Sequence, residues 1–234
     1  MAPTLVDAAL GALVAAALLG PAFDRRSVAV VVAAAVVPDL DAVASLAVPG
    51  ATNALGHTLL IPLAAGVVLY WDTAVRASSR LRARAGWRGV RVAWVALASF
   101  VVAGIGSDLF AGAGANLLYP LQDAYYVVDG RFVFSTQEGV VQTFVAAGGE
   151  GPGILPFESP GTTATYPIET WVNPDGRPGI SIEVDREAHL VRSGWQLVVV
   201  AVAAATLGVR TLVGARIDEA IGVVETDEGT EVDR

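Results

Sequence analysis

The sequence predicts a mainly α, multi-pass membrane helical bundle of about five transmembrane helices, with a small β-rich extracytoplasmic domain between helices 4 and 5. Three observations predict it. The 234 residues are 54% hydrophobic, with a mean hydropathy of +0.57, which suits a chain that lies in lipid rather than one with a large water-soluble core. Ala/Val/Leu runs of about 17–25 residues, long enough to span a bilayer, recur along the chain. Before the last of them lies a segment too long and too patterned to be a linker.

The first run, 4–21, has no basic region ahead of it and carries Asp7, so it reads as a membrane helix rather than a cleaved signal. The second, 27–48, follows Arg25-Arg26 and contains Val37-Pro38-Asp39-Leu40-Asp41. Residues two apart on an uninterrupted helix point about 200° apart. Pro38 removes a backbone hydrogen bond and disfavours helix at Val37, so the helix can restart there with both carboxylates beside its first turn. The third run, 55–73, opens on Gly56-His57-Thr58; the fourth, 91–113, contains Ser107-Asp108; the fifth is 194–214.

Charge sets the orientation. Arg76, Arg80, Arg82, Arg84, Arg88 and Arg91 crowd one connection that holds no acid from 73 to 91. The positive-inside rule makes that connection cytoplasmic. Arg25 with Arg26, and Arg210 with Arg216, put the first connection and the C-terminal end on the same side. The N-terminus, 49–54 and 115–192 are then extracytoplasmic. The domain plan is a four-helix membrane bundle at 1–114, the external domain at 115–192, the fifth helix at 193–216 and an acidic cytoplasmic tail at 217–234.

Within the external domain, Tyr126–Val128, Asp129-Gly130 and Arg131–Phe134 read as strand, tight turn and strand. Thr170–Val172, Asn173–Gly176 and Ile180–Val184 suggest a second hairpin. Gly148 to Gly161 is rich in Gly and Pro and reads as irregular. Ten acids against four Arg give this domain a charge near −6. The tail from 217 holds seven acids and one Arg, which predicts a solvated or disordered end.

Composition excludes several functions. With no Cys there is no disulfide, thiolate catalysis or Cys-ligated zinc. The 15 basic residues are all Arg, against 23 acids. Such a balance argues against a nucleic-acid surface. It suits a high-salt, haloarchaeal organism, though a GC-rich genome biases Arg over Lys by itself. Neither a phosphate-cradling Gly loop, a dinucleotide fingerprint nor a serine triad is present, and no residue is assigned as catalytic.

Ionisable groups at membrane depth are costly and usually functional. At 1.5 Å per residue, Asp39 lies roughly 18 Å along a helix that starts inside, in the outer half of a core about 30 Å thick. Asp108 rises a similar way up the fourth helix, while Asp7 and His57 lie near the outer ends of helices that start outside. With Asp41, these groups share one level and can converge. Carboxylates plus imidazole make a hard O/N ligand set for Zn²⁺, Mn²⁺ or Mg²⁺, so Asp39, Asp41, His57, Asp108 and Asp7 are the candidate metal ligands. Simpler readings exist: Asp39 and Asp41 as helix caps, His57 as an interfacial histidine hydrogen-bonded to backbone, Asp108 paired with an Arg or with the external domain. His189, among external charges, reads as merely exposed.

The order Leu5-to-Gly11, Val37–Asp41, Gly56–Leu60 and Ser107–Phe110 followed by Gly112 to Pro120 resembles the membrane-bound metal-dependent hydrolases, related to the LexA-regulated inner-membrane hydrolases of bacteria. The likeness covers about residues 4–145, and it extends distantly to zinc phospholipase C and P1-type nucleases. It implies a helical bundle with a divalent-metal site, Zn or Mn foremost, and hydrolysis of a lipid or phosphoester at the outer leaflet. Only Asp39, Asp41, His57 and Asp108 match the family pattern. Asp7 stands where the pattern has a histidine, Thr52-Asn53 where it often has His-Arg, and Gly104 where a further histidine is common. The alternative is a non-catalytic membrane scaffold or binding protein with a degenerate metal site. An ion or proton relay is a third reading, weakened by the lack of inverted repeats. Membrane lipids are the expected partners, and no oligomeric state is assigned.

Overall fold

The computed structural model describes residues 2–144, 152–182 and 184–231. The first residues of the irregular stretch at 148–161, Glu183 of the second expected hairpin and residues 232–234 of the tail lie outside the described residues.

Helix α1 (Thr4–Leu18) is followed by a 3₁₀ turn at Gly20–Ala22. Helix α2 (Arg25–Val36) starts at Asp24, whose Oδ1 accepts a hydrogen bond from the Ser27 amide at 2.8 Å. At Pro38, which has no amide hydrogen, the chain tightens into a 3₁₀ turn, Val37–Leu40, before α geometry resumes in α3 (Asp41–Ala44). Helix α4 (Leu60–Tyr70) ends in a π turn, Trp71–Val75. Helix α5 (Arg80–Ser99), broken at Gly86 where φ is 62°, passes through a π segment, Phe100–Ile105, into α6 (Gly106–Leu109). Helix α7 (Gly194–Glu231) runs on past the expected end near 216.

Among the described residues, three helices, Arg25–Ala44, Arg80–Leu109 and Gly194–Val213, are long and apolar enough to cross a membrane. Thr4–Leu18 and Leu60–Val75 are apolar but shorter. Helix α1 packs against α2 and α7, and α2 also against α5. Small residues allow these crossings. A Cβ on Gly11 would fall 2.7 Å from that of Ala35, and Ala9, Ala12 and Ala203 bring α1 against α7. Below them Ala15, Leu19, Val31 and Val95 form a buried apolar cluster. Val67 and Val68 on α4, like Leu197 and Val198 on α7, face outward.

The external segment contains less sheet than its sequence suggests. Among the described residues it holds one antiparallel hairpin, β1 (Phe132–Ser135) with β2 (Gly139–Gln142), plus isolated bridges Ala115–Tyr126 and Val127–Glu158. The expected hairpin about Asp129-Gly130 is displaced one strand along the chain. Ser135 Oγ accepts from the Gln137 and Glu138 amides, and Gly139 at φ 73° closes the turn. Tyr126 and Val127 bond instead to Ala115 and Glu158. The second expected hairpin does not form among described residues 170–182 and 184. Thr170 and Asn173 bond to each other, the Gly179 amide donates to Leu46 O, and Arg186 donates to the carbonyls of Trp171, Val172 and Ser181. Side chains and a helix end supply the backbone partners that a second strand would have supplied.

Candidate metal centre

The 3₁₀ turn at Pro38 places the first two acids. The Gly56 backbone presses on it so closely that a Cβ there would fall 2.2 Å from Pro38 O. That contact sets the next residue, His57, between two carboxylates of the turn. The π segment of α5 then shifts the helix register ahead of α6, which brings Asp108 to the far side of the ring.

His57, Asp7 and Asp108 are fully buried, and Asp39 and Asp41 nearly so. His57 Nε2 lies 2.6 Å from Asp108 Oδ2 and 3.9 Å from Asp39 Oδ1. One donor atom from each of Asp39, His57 and Asp108 falls within 4.8 Å of the other two, so these three side chains form a set that can hold a metal ion. Asp41 stands on the other side of the ring, its Oδ2 2.9 Å from His57 Nδ1. The Gly56 amide donates to the same oxygen at 3.2 Å. Asp7 joins from α1. Its Oδ1 accepts from the Ser107 hydroxyl at 2.5 Å, and it lies within electrostatic reach of Asp108 and Asp39.

The donor chemistry fits a divalent ion. Two carboxylates and one imidazole leave a further coordination position open, the pattern of reactive rather than purely structural sites. Asp39 Oδ1 and Asp7 Oδ2 are buried and accept no hydrogen bond from the described residues. Buried oxygens without partners are rare in folded chains, and an ion satisfies them.

Several simpler readings of the acids are not what the geometry gives. No side chain caps the 3₁₀ turn or α3, so Asp39 and Asp41 are spent on the cluster. Asp108 accepts from the Ala2 amide and meets His57 Nε2 at 2.6 Å. His189 is exposed, 3.6 Å from Glu187.

Gly104, where the resemblance leads one to expect a further histidine, has no room for a side chain. A Cβ on Gly104 would fall 2.7 Å from both Ala35 O and Pro38 Cγ. Thr52 O accepts from the buried Tyr125 hydroxyl at 2.8 Å, and Asn53, at φ 53°, donates through Nδ2 to Gly114 O at 2.8 Å. Both residues tie the external segment to the helices. Sequence reasoning missed Thr4, whose hydroxyl donates to Asp39 Oδ2 at 2.5 Å. Its one signal was a polar residue three positions before Asp7, on the same face of an apolar helix.

Comparison with known proteins adds one relation. The family model described as YdjM inner membrane protein matches residues 3–215. No curated protein and no solved structure matches the chain.

Proposed function

This chain belongs to the YdjM inner membrane protein family, and from that premise we propose that it is a metal-dependent hydrolase acting on a lipid or other phosphoester at the outer leaflet. The observation that supports this most is the buried meeting of Asp39, His57 and Asp108 donor atoms within 4.8 Å. These three would hold the ion, Zn or Mn by ligand type, with Asp7 as the fourth ligand. A divalent ion bound there supplies Lewis acidity toward a phosphoryl or carbonyl oxygen and lowers the pKa of water.

The chain's own groups do the rest. Asp41 holds the His57 ring by its Nδ1 edge, which leaves Nε2 facing Asp39 and Asp108. Thr4 and Ser107 fix the rotamers of Asp39 and Asp7 through their hydroxyls. The apolar packing around the cluster keeps bulk water out and strengthens every charge interaction inside it. A groove of about 650 Å³ runs past Ser107, lined by Leu10, Leu59, Ile105, Phe110 and Trp195. Its apolar walls favour a substrate with an acyl chain over a soluble phosphoester.

Five crossings, with the N-terminus and 115–192 outside and the C-terminus in the cytoplasm, agree with the arginine-rich connection at 76–91. The acidic, Lys-free composition fits a haloarchaeal source.

Elemental analysis of the purified protein tests the reading. About one Zn or Mn per chain is expected, lost in an Asp39→Ala/Asp108→Ala variant. Folded protein that takes up neither ion would overturn it. One contact favours the scaffold alternative. At 2.6 Å, His57 Nε2 and Asp108 Oδ2 are close enough for a direct charge-assisted bond that needs no ion. On that reading the metal content is zero, and His57→Ala lowers stability by leaving Asp108 buried without its partner.

A further inference from the structure

A second site lies at the arginine-rich end of the bundle. Between α4 and α5, backed by Ala34 of α2, is a cleft of about 850 Å³, within the range of small-molecule pockets, about 300–1,000 Å³. Ile61, Ala65 and Val68 line one wall, and Ala96, Leu97 and Phe100 the other. Pro62 alone among the residues of α4 is buried, so this helix lies against the bundle loosely and the cleft opens toward lipid. It shares no residue with the metal centre.

One end of the cleft is basic. Arg76, Arg80 and Arg84 line it together with Asp72. Asp72 does not neutralise the group. Its carboxylate accepts from the Ser79 hydroxyl at 2.7 Å and from the Arg80 and Leu81 amides at 3.0 Å, and it pairs with Arg76 at 3.5 Å. Arg76 also stacks over Trp71, 5.3 Å from the ring centroid. Arg80 and Arg84 are exposed and have no acidic partner among the described residues. They lie just before Gly86, whose φ of 62° breaks the helix ahead of the apolar stretch that is long enough to cross a membrane, so they stand at the polar end of that stretch, where the positive-inside pattern puts arginines. The net charge of the whole chain is −8, so this positive group is local and directed.

We propose that the cleft binds an anionic phospholipid of the bilayer, its phosphate on Arg80 and Arg84 and an acyl chain between α4 and α5. The planar guanidinium fork matches phosphate geometry. Apolar walls that run from the interface into the hydrocarbon match the chain. A soluble anion would use the arginines and leave the walls empty; a second copy of the protein would use the walls and leave the arginines unanswered.

Native mass spectrometry of the full-length protein in detergent tests this, with phosphatidylglycerol and phosphatidylcholine of identical acyl chains as probes. Retention of one phosphatidylglycerol, at least tenfold over phosphatidylcholine, is expected. Each arginine near the surface contributes about five-fold to anionic-lipid binding. Arg80→Gln/Arg84→Gln therefore lowers phosphatidylglycerol affinity about 25-fold and leaves phosphatidylcholine unchanged. Arg131→Gln/Arg177→Gln, the same charge change elsewhere, leaves both unchanged. Ala65→Phe/Ala96→Phe, which fills the cleft, abolishes retention with the arginines intact. Equal retention of the two lipids overturns the proposal, as does an unchanged affinity in the arginine variant. Disulfide-linked dimers of Ala96→Cys, formed in otherwise cysteine-free protein, would assign the cleft to a second copy instead.

Discussion

His57 Nδ1 lies 2.9 Å from Asp41 Oδ2, an oxygen that also accepts from the Gly56 amide at 3.2 Å. A carboxylate oxygen only accepts, so Nδ1 donates to Asp41 Oδ2, and Nε2, 2.6 Å from Asp108 Oδ2, faces Asp108 and Asp39 across a space that a proton fills when no ion is bound. Two acids two residues apart on one turn thus do different work. Asp39 faces the open side of the ring, while Asp41 orients the ring from behind.

That division predicts unequal mutants. Groups that orient a ligating histidine change metal affinity about 10–100-fold. Asp41→Asn should therefore weaken metal binding by that factor and keep the stoichiometry. Asp39→Ala or Asp108→Ala should abolish it. Competition against a chromophoric chelator measures both, and equal losses from Asp41 and Asp39 would refute the division.

Gly104 supports a second prediction. Its position lacks room for any side chain, since a Cβ would meet Ala35 O and Pro38 Cγ at 2.7 Å. Overpacking of this kind costs about 1–3 kcal/mol. Gly104→Ala should lower the melting temperature in detergent, and Gly104→His should misfold rather than gain a ligand. A stable Gly104→His protein with tighter metal binding would show that the bundle opens at Pro38.

The meeting of Asp39, His57 and Asp108 was legible, because ionisable groups stand out in apolar runs. The local tightening at Pro38 was legible from the missing amide hydrogen. The separate tasks of Asp39 and Asp41 were not. They depend on where Gly56 lands on the turn, a contact between segments distant in sequence. Nor was the hairpin register legible. Asp129-Gly130 and Gly139 both carry turn chemistry, and long-range bonds from Tyr126 to Ala115 decide between them. Thr4 stayed hidden because a lone threonine at a helix start is common.

Tyr125 yields a prediction in pH. The ring is fully buried, and its hydroxyl donates to Thr52 O at 2.8 Å and Gly50 O at 3.2 Å. Burial foremost, then the Asp41 and Asp123 carboxylates, push its phenol above the ordinary value of 10.0. The folded state therefore holds this proton more tightly than the unfolded chain does. Its contribution is fully present below pH 10 and is lost as pH rises above that value, where the unfolded phenol ionises first. Tyr125→Phe removes the donor from the buried Thr52 carbonyl and the partly buried Gly50 carbonyl, which costs about 1–3 kcal/mol at neutral pH. The same change removes one source of alkaline sensitivity. Melting temperatures from pH 7 to 11 should fall more steeply in the parent protein than in Tyr125→Phe, so the gap between them narrows above pH 10. Parallel curves would mean that the phenol ionises alike in the folded and unfolded states.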